Sequence, residues 1–510
     1  MKFIKNILFN RILIVGIAIM AQLIALVWMI IQFQDYFVFF YAASIVLSII
    51  VVLYIVSDSM NPAYKIAWII PILLLPIFGG LFYIFFGGNK VSKKEKNRMN
   101  YIVTKMNSIL IPQKGIMKTL ESENIIAANQ SRYLQNSAYG PLYKNEGTEY
   151  FSLGEYKFKR LKEELKNAKE FIFLEYFIIS EGKMWNEILE ILLEKVNEGV
   201  DIRVIYDDFG SVLTLPYKYD KILEDMGIKC EIFNPLRPFL SPRLNNRDHR
   251  KIAIIDGKVG FTGGINLADE YINEIDRFGH WKDSAIMISG EPVWSLTVMF
   301  LSMWDYLRGI DEDFNKFKNE NHFIGKDKHG YVQPYTDSPL DDETVGEIVY
   351  LNLINKANKY VYITTPYLII DNEIVVALTS AAKSGIDVRI ITPHHPDKLY
   401  VHAVTKSFYK VLIEAGVKVY EYTPGFIHAK NFVVDDEYGV VGTINMDYRS
   451  LYLHFECGVW MHKTDSVVAM REDFLNTIKV SEKISYEVAT NIKWYTKLGR
   501  SILRVFSPLM

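Results

Sequence analysis

The stretches Gly199-Val-Asp-Ile-Arg-Val-Ile205 and Gly385-Ile-Asp-Val-Arg-Ile-Ile391 decide the fold, because they are two copies of one helix-to-strand transition. In each copy the glycine predicts a helix end, and the alternating apolar residues after it predict a strand. The stretches 168–177 and 357–366 likewise each predict a helix end followed by a buried strand. The sequence therefore predicts an α/β region made of two similar lobes.

This duplication organises the whole chain into five predicted parts. In order, they are a membrane anchor at 1–89, a basic linker at 90–144, a first lobe at 145–325, a second lobe at 326–485, and an amphipathic basic helix at 486–510.

Composition narrows the possible classes of protein. Of the 510 residues 50% are hydrophobic and 23% are charged, which excludes a disordered chain. The net charge of −2 provides no overall basic field, so a nucleic-acid partner is not expected. The only cysteines are Cys230 and Cys457, and nothing around them has metal-ligand spacing. Neither a disulfide framework nor a zinc site is predicted.

Apolar segments at the N-terminus predict membrane insertion. Residues 12–31 carry no charge and are long enough to cross a bilayer as a helix, and 37–56 and 66–86 are similar in length. Prolines and glycines in the third segment suit either a kinked span or one that enters and returns, so two to three spans are expected. A basic cluster follows, formed by Lys90, Lys93, Lys94, Lys96 and Arg98. It predicts a multi-pass protein of the cell membrane with its catalytic lobes in the cytoplasm.

Each lobe contains one His-x-Lys-x-x-x-x-Asp motif, followed at a fixed distance by a glycine and an asparagine. The residues of the first lobe are His249, Lys251, Asp256 and Asn266, and those of the second are His428, Lys430, Asp435 and Asn445. The offset between the copies is 179 residues throughout, for example from 249 to 428 and from 266 to 445. The chain has only ten histidines, so two matched copies of this pattern are not expected by chance. This argues against the alternative that the motif residues are ordinary strand residues.

These residue types suit phosphodiester chemistry. Residues two apart on a strand face the same side, so the histidine and lysine of a motif can converge on one phosphate. Lysine supplies charge, Asn266 and Asn445 add donors, and histidine can attack or transfer a proton, so we expect neither a metal nor another cofactor. Two histidines allow one to be the nucleophile and the other to protonate the leaving oxygen. The acidic residues Asp283 and Glu456 could orient the two imidazoles.

The C-terminal segment has a basic and an apolar side when drawn as a helix. The basic side has Lys493, Lys497, Arg500 and Arg504, and the apolar side has Tyr495, Leu498, Ile502, Val505 and Phe506. This pattern fits a helix that lies on anionic lipid, and it equally fits a surface helix packed on the lobe.

The motifs resemble the two catalytic motifs of the phospholipase D superfamily over about residues 145–486, and within it the chain is most similar to bacterial cardiolipin synthases. The N-terminal apolar hairpin, the run 263–271 and the stretch Asn445-Met-Asp-Tyr-Arg-Ser-Leu451 ahead of Phe455-Glu456 carry this resemblance. Three positions depart from it: Gly264 and Thr443 stand where many members have serine, and His454 stands where asparagine is expected.

The resemblance implies two lobes, each a mixed sheet flanked by helices, with the active site between them. It further implies transfer of a phosphatidyl group from one phosphatidylglycerol to another, giving cardiolipin and glycerol through a phosphohistidine, with His249 favoured as nucleophile. The expected partners are phosphatidylglycerol and anionic membrane lipid. The residues alone leave open a phospholipid hydrolase, a phosphatidylserine synthase, or a non-catalytic membrane scaffold.

Overall fold

A computed structural model describes most of the chain from residue 37 onward and scattered positions between 20 and 32. Residues 1–19, 33–36, 237–244, 320–327, 342 and 510, with several positions between 77 and 92, lie outside the described residues. The predicted segment 12–31 falls mostly among them, as do Lys90 and the side chains at 93, 94 and 96 of the basic cluster.

The described α-helices are distributed along the whole chain. They are Phe37–Ser57, Pro62–Leu74, Lys93–Ile109, Ile116–Glu123, Ile125–Ser137, Gly154–Asn167, Lys183–Asn197, Asp208–Ser211, Tyr219–Asp225, Val293–Arg308, Val345–Asn355, Asn372–Lys383, Leu399–Glu414, Tyr448–Tyr452, Asp465–Lys479, Tyr486–Thr490 and Trp494–Phe506. Short 3-10 helices lie at Asp269–Ile272, Phe314–Phe317 and Ser507–Leu509.

The strands are numbered in chain order. They are β1 (Tyr143–Lys144), β2 (Thr148–Phe151), β3 (Phe171–Tyr176), β4 (Asp201–Asp207), β5 (Lys229–Phe233), β6 (Arg247–Asp248), β7 (Lys251–Ile255), β8 (Val259–Gly263), β9 (His280–Lys282), β10 (Ala285–Ser289), β11 (Tyr331–Asp337), β12 (Tyr360–Thr364), β13 (Asp387–Pro393), β14 (Lys418–Tyr422), β15 (Gly425–Ile427), β16 (Asn431–Val434), β17 (Tyr438–Gly442), β18 (His454–His462) and β19 (Ser481–Lys483).

Two mixed sheets form the two lobes. The first has the order β2-β10-β8-β7-β3-β4-β5, and the second has the order β1-β11-β18-β17-β16-β12-β13-β14-β19. In each, one set of three neighbouring strands is parallel, β3-β4-β5 in the first and β12-β13-β14 in the second. Gly199 and Gly385 adopt φ of 88° and 92° just before β4 and β13, the left-handed turn that lets a helix end there. The predicted two-lobed α/β fold is confirmed.

The sheets face each other across a shared apolar core. Phe173 and Ile254 of the first sheet and Val433 and Val459 of the second belong to one buried cluster, together with the helix Val293–Arg308. Each sheet also has one buried apolar cluster on its outer face, beneath the covering helices. The shared core fixes one lobe on the other, and the site described below lies in the same interface.

The predicted basic linker is a packed part of the molecule. The helix Lys93–Ile109 buries Met99, Ile102 and Met106 in the core shared by the lobes, and residues 116–137 pack on the second lobe. These three methionine and isoleucine side chains recur at helical spacing, which buries one face of the helix. The high charge of this segment concealed that face in the sequence.

The N-terminal segments differ from the prediction of two to three spans. Within the described part of the chain, no helix is both long and apolar enough to cross a bilayer. The helix Pro62–Leu74 has 13 residues and ends before Pro76. A Cβ at Gly79 would lie 2.4 Å from the Ile72 Cα, so the chain folds back there.

The C-terminal helix Trp494–Phe506 packs on the second lobe and directs apolar residues outward. The guanidinium of Arg504 lies 4.1 Å from the ring centre of Phe408 in the helix Leu399–Glu414. Trp494 is 76% exposed, and Leu498 and Ile502 are each 52% exposed. The helix is therefore docked on the second lobe and presents an apolar strip outward.

Candidate active site

Each motif histidine directly follows a short strand that pairs with the opposite lobe. Strand β6 runs parallel to the start of β18, and the His249 amide donates to the Phe455 carbonyl at 2.9 Å. Strand β15 runs parallel to β9, and the His428 amide donates to the Lys282 carbonyl at 2.7 Å. Both motifs therefore begin at the interface between the lobes.

The carboxylate that holds each imidazole comes from the opposite lobe. His249 Nδ1 lies 2.8 Å from Glu456 Oε1, and His428 Nδ1 lies 2.7 Å from Asp283 Oδ2. In both cases the acidic residue follows directly after the residue whose carbonyl binds the histidine backbone. The paired strands thus position the histidine and its carboxylate together, and neither pair exists within one lobe.

The two motif lysines are buried beside the histidines. Lys251 Nζ donates to the His249 carbonyl at 2.5 Å, and Lys430 Nζ donates to the His428 carbonyl. Lys430 Nζ also lies 2.8 Å from His428 Nδ1. This places a cation next to each imidazole, as a pair that binds phosphoryl oxygens requires.

Burial sets the protonation of this cluster. It lowers the pKa of His428 to about 4 and that of His249 well below its usual value, with the charge of the neighbouring lysine as the next cause in each case. Both rings are therefore neutral at pH 7 in the empty site. Burial also lowers the pKa of Lys251 to about 8 and that of Lys430 to about 7. The lysines hold their charge only up to the neutral range.

Burial disfavours charge on both partners of the first pair, since it also raises the pKa of Glu456. The His249–Glu456 pair therefore shares one proton across its 2.8 Å contact. With that proton on Nδ1, the ring keeps a lone pair on Nε2. The Thr443 hydroxyl donates to the same carboxylate and helps to hold it.

Both motif asparagines are buried near the cluster, but their side chains differ in hydrogen bonding. Asn266 accepts from the Ile178 amide at 3.0 Å and donates to the Tyr271 hydroxyl at 2.6 Å. The Asn445 side-chain oxygen has no hydrogen-bond partner in the described part of the chain. Asn266 thus holds surrounding structure, whereas the side-chain oxygen of Asn445 is an unused hydrogen-bond acceptor.

Asp256 and Asp435 do not join this cluster, which corrects their assignment to catalysis. They lie at the far ends of β7 and β16, where both adopt positive φ. Asp256 accepts from the amides of residues 169–171, and Asp435 accepts from those of residues 358–360. A strand of five residues, β7, and one of four residues, β16, separate them from their histidines, so their carboxylates secure the starts of β3 and β12 instead.

Aromatic residues that the motifs did not reveal enclose both imidazoles. The ring centre of Phe177 lies 5.0 Å from that of His249, and those of Tyr271 and Trp281 each lie 5.6 Å from that of His428. They come from separate loops and strands, and no spacing in the sequence links them. Their apolar faces exclude water and account for the burial that shifts the histidine pKa values.

The departures from the superfamily pattern have visible consequences. A Cβ at Gly264 would lie 2.1 Å from Asp283 Oδ1, so the glycine makes room for that carboxylate. The His454 ring lies 5.6 Å from the His249 ring, and neither of its nitrogens has a hydrogen-bond partner among the residues described. The site therefore contains a third buried histidine, whose Nδ1 lies 3.8 Å from Glu456 Oε1.

Two groups of side chains have donor atoms close enough to hold a metal ion. Within the described residues they are His249 with His454 and Glu456, and Glu347 with Asp371 and Glu373. The first group shares the candidate nucleophile, whose Nδ1 is already bonded to Glu456. The second lies beneath the N-terminal helices, where Asp371 accepts from Asn61. No cofactor was expected from the sequence, and we assign none to either group.

Comparisons with known proteins agree with this site. Residues 161–303 and 350–478, together more than half of the chain, match the family described as cardiolipin synthase, PLD-like domain. Residues 46–88 match the phospholipase D–nuclease N-terminal family. A cardiolipin synthase of Halalkalibacterium halodurans is 34% identical over 476 residues, covering 92% of this chain and 94% of the relative. One from a Geobacillus species is 34% identical over 468 residues, covering 91% and 92%.

Two further similarities complete the comparison. An uncharacterized protein of Streptococcus mutans is 46% identical over 459 residues, covering 90% of this chain and 99% of the relative. The crystal structure of a phosphatidylserine synthase from Haemophilus influenzae superposes with a TM-score of 0.57 at 14% identity, covering 75% of this chain and 98% of that one. That likeness concerns the fold alone. The sequence matches show that this chain belongs to the cardiolipin synthase family of phospholipase D-like proteins and is an enzyme of the phosphatidyltransferase type.

Proposed function

We propose that this enzyme is a cardiolipin synthase that transfers a phosphatidyl group from one phosphatidylglycerol to the terminal hydroxyl of a second, releasing glycerol. The observation that carries the proposal is the pair of neutral histidines, each held by a carboxylate of the opposite lobe and flanked by a buried lysine. Such a pair supplies a nucleophile and a separate proton donor at one phosphate.

In the first step, His249 Nε2 attacks the phosphorus of the donor lipid. A P–N bond forms, the P–O bond to glycerol breaks, and His428 delivers a proton to the departing oxygen. His428 is neutral in the empty site because burial lowers its pKa to about 4. The anionic phosphodiester offsets the neighbouring lysine charges, so its binding raises that pKa and brings in the proton.

In the second step, the hydroxyl of the acceptor lipid attacks the phosphohistidine. His428, which lost its proton in the first step, now takes the hydroxyl proton, and the P–N bond breaks as the new P–O bond forms. Lys251, Lys430 and the side-chain amide nitrogen of Asn445 donate to the non-bridging oxygens in both steps. The assignment of His249 as nucleophile follows the superfamily resemblance, since the lobes are pseudo-symmetric.

We place the enzyme on the cell membrane, with its lobes on the cytoplasmic side. Apolar side chains of the N-terminal helices face outward, among them Phe39 at 78%, Leu53 at 64% and Leu74 at 73% exposure. Next to them, the 3-10 helix Ser507–Leu509 packs against Pro62–Leu74 and joins the C-terminal helix to this surface. The apolar strip of Trp494, Leu498 and Ile502 thus continues the same surface, which suits insertion into lipid.

The test is product analysis with purified enzyme and vesicles that contain phosphatidylglycerol as the only lipid substrate. We expect cardiolipin and free glycerol in equal amounts, and no product from His249→Ala or His428→Ala. Phosphatidic acid as the sole product would identify a hydrolase. A requirement for a nucleotide-activated lipid and serine would identify a phosphatidylserine synthase.

The covalent step has its own measurement. Donor lipid labelled in the phosphate, followed by rapid acid-free quenching and peptide mapping, should place the label on the peptide that contains His249. Label on the His428 peptide would reverse the two roles, and the absence of label from both histidines at every time point would contradict a phosphohistidine.

A further inference from the structure

We propose that a cavity between the second lobe and the N-terminal helices admits the phospholipid substrate to His249, with Arg449 binding the lipid phosphodiester. This inference rests on the proposed function and adds to it the route and the binding group. It concerns residues outside the two His-x-Lys motifs.

The cavity connects the active site to the apolar N-terminal helices. Its volume is 630 Å³, within the range of pockets that bind small ligands. One end is lined by His454, whose ring lies 5.6 Å from that of His249. The other end is lined by Tyr54, Trp68 and Tyr83 of the N-terminal segment. A molecule that fills the cavity therefore contacts both the N-terminal segment and His454, which lies next to the candidate nucleophile.

Hydrogen bonds fix the N-terminal helices over the cavity. The side-chain amide nitrogen of Asn61 donates to the Tyr452 hydroxyl at 2.8 Å and to Asp371 at 3.2 Å. The Tyr64 hydroxyl donates to the Tyr448 carbonyl at 3.4 Å. The Tyr64 ring also packs edge-on against those of Tyr448 and Tyr452. The helices thus form a wall of a defined site.

Arg449 is the cation of this cavity. It is half-buried, and it makes neither a hydrogen bond nor an ion pair through its side chain with any residue described. Its charge acts on both Tyr64 and His454, which places it between the N-terminal helices and the catalytic cluster. A guanidinium without a carboxylate partner at this position suits a phosphodiester, which it can bind through two parallel hydrogen bonds.

The remaining lining suits the other parts of a polyol phospholipid. Tyr64, Trp68 and Leu453 offer apolar surface to the glycerol backbone and the first acyl carbons. Four acidic residues line the cavity away from Arg449, namely Asp58, Asp337, Asp341 and Glu343, and of these Asp337 accepts from the Gly346 amide and Glu343 from the Tyr133 hydroxyl. Their remaining lone pairs can accept from head-group hydroxyls. The cavity therefore offers a cation for the phosphate, an apolar wall for the acyl chains and acceptors for the glycerol head group of one ligand.

The first test is the kinetics of Arg449→Gln with phosphatidylglycerol in vesicles. We expect the KM to rise roughly tenfold or more, because a charge-assisted contact to the substrate is lost, while kcat changes less. Arg449→Lys, which keeps the charge without the forked geometry, should lie between wild type and Arg449→Gln. Arg132→Gln, in the helix Ile125–Ser137 and outside the cavity lining, is the control. An unchanged KM in Arg449→Gln would overturn the assignment of the phosphate contact.

A second variant blocks the route without touching a charge. Ser59 lines the cavity and is exposed, so Ser59→Trp narrows its mouth. We expect cardiolipin formation from vesicles to fall about tenfold or more. Ser122→Trp, which makes the same change on the exposed helix Ile116–Glu123, should keep wild-type activity. Equal activity of the two variants would contradict the route.

Photocrosslinking shows directly where the lipid lies. Phosphatidylglycerol with a diazirine on the carbon of the acyl chain nearest the ester should label peptides that contain residues 59–68 or 449–454, and less so in Arg449→Gln. Label confined to the apolar strip of the C-terminal helix would overturn the inference. If wild-type enzyme makes no cardiolipin, the proposed function fails; if it makes cardiolipin and both variants match wild type, only this inference fails.

Discussion

The two motif lysines determine the expected pH dependence. A group whose pKa is lowered in the folded protein loses its proton as the pH rises through that lower value. Burial lowers the pKa of Lys430 to about 7 and that of Lys251 to about 8, so phosphate binding should weaken above neutrality. On the acid side, His428 becomes charged only near its pKa of about 4.

We therefore predict that kcat/KM, which reports the free enzyme, falls about tenfold per pH unit above the His428 pKa of about 4, because that histidine must take up a proton, and falls more steeply along an alkaline limb that begins near pH 7, where Lys430 also loses its proton. Lys430→Arg keeps its charge at every accessible pH and should move the alkaline limb upward, even if its absolute rate is lower. The measurement is a pH profile at substrate concentrations below KM. Identical limbs in wild type and Lys430→Arg would show that Lys430 does not set this limb.

Asp435 has a structural role at the residue scale, and its replacement should affect stability. Its carboxylate accepts from three backbone amides at the start of β12, of which the Tyr360 amide belongs to a buried residue and the other two to exposed residues. For Asp435→Ala we expect the free energy of unfolding to fall by about 1–2 kcal/mol, mostly because the buried amide loses its acceptor. Asp435→Asn keeps one acceptor oxygen and should lose less. Denaturant unfolding checks this order, and a large loss of kcat in a folded, stable Asp435→Asn would contradict it.

At the scale of elements, the pairing of β15 with β9 holds the second histidine in place. A Cβ at Gly425 would lie 2.3 Å from both the amide nitrogen and the carbonyl oxygen of His280, so the strands approach this closely only with glycine. His428 and Asp283 follow these strands directly. Gly425→Ala should separate them and lower kcat about 10²-fold, because a displacement near 1 Å disrupts proton transfer.

Gly385→Ala is the matched control for that prediction. Gly385 also has a positive φ, 92°, yet a Cβ there meets nothing within 4 Å. Its replacement should cost about 1 kcal/mol of stability through backbone strain and leave kcat unchanged. Thermal unfolding and steady-state kinetics on both variants separate the two effects. Similar kcat values in both would show that the β9–β15 pairing is not needed for catalysis.

At the scale of the whole molecule, the active site requires both lobes of one chain. Each histidine is bonded to a carboxylate of the other lobe, and the shared core fixes the two lobes on each other. We predict that His249→Ala and His428→Ala chains, when mixed, do not restore activity, because every site in the mixture lacks one histidine. Turnover by the mixture at half the wild-type rate would instead require a site that forms between two chains.

The sequence by itself determined the duplicated α/β architecture and the residues of the two motifs. These are local or periodic properties: glycine at a helix end, alternation along a buried strand, and a spacing of two that places histidine and lysine together. It also separated an apolar N-terminus from two lobes. The charge-rich segment 90–144 was predicted as a linker, because only a few apolar residues mark the buried face of its first helix.

Only the tertiary structure decided which carboxylate serves which histidine. Glu456 and Asp283 meet the histidines of the opposite lobe because β6 pairs with β18 and β15 pairs with β9. Strands β6, β9 and β15 have only two or three residues and are too short to carry a sequence signal of their own. The same holds for the separation of Asp256 and Asp435 from the site, since the extended strands β7 and β16 hold them away from the histidines. Arg449 and His454 belong to the cavity because helices far away in the sequence pack against them. Contacts between remote segments depend on packing, which no local pattern of residues encodes.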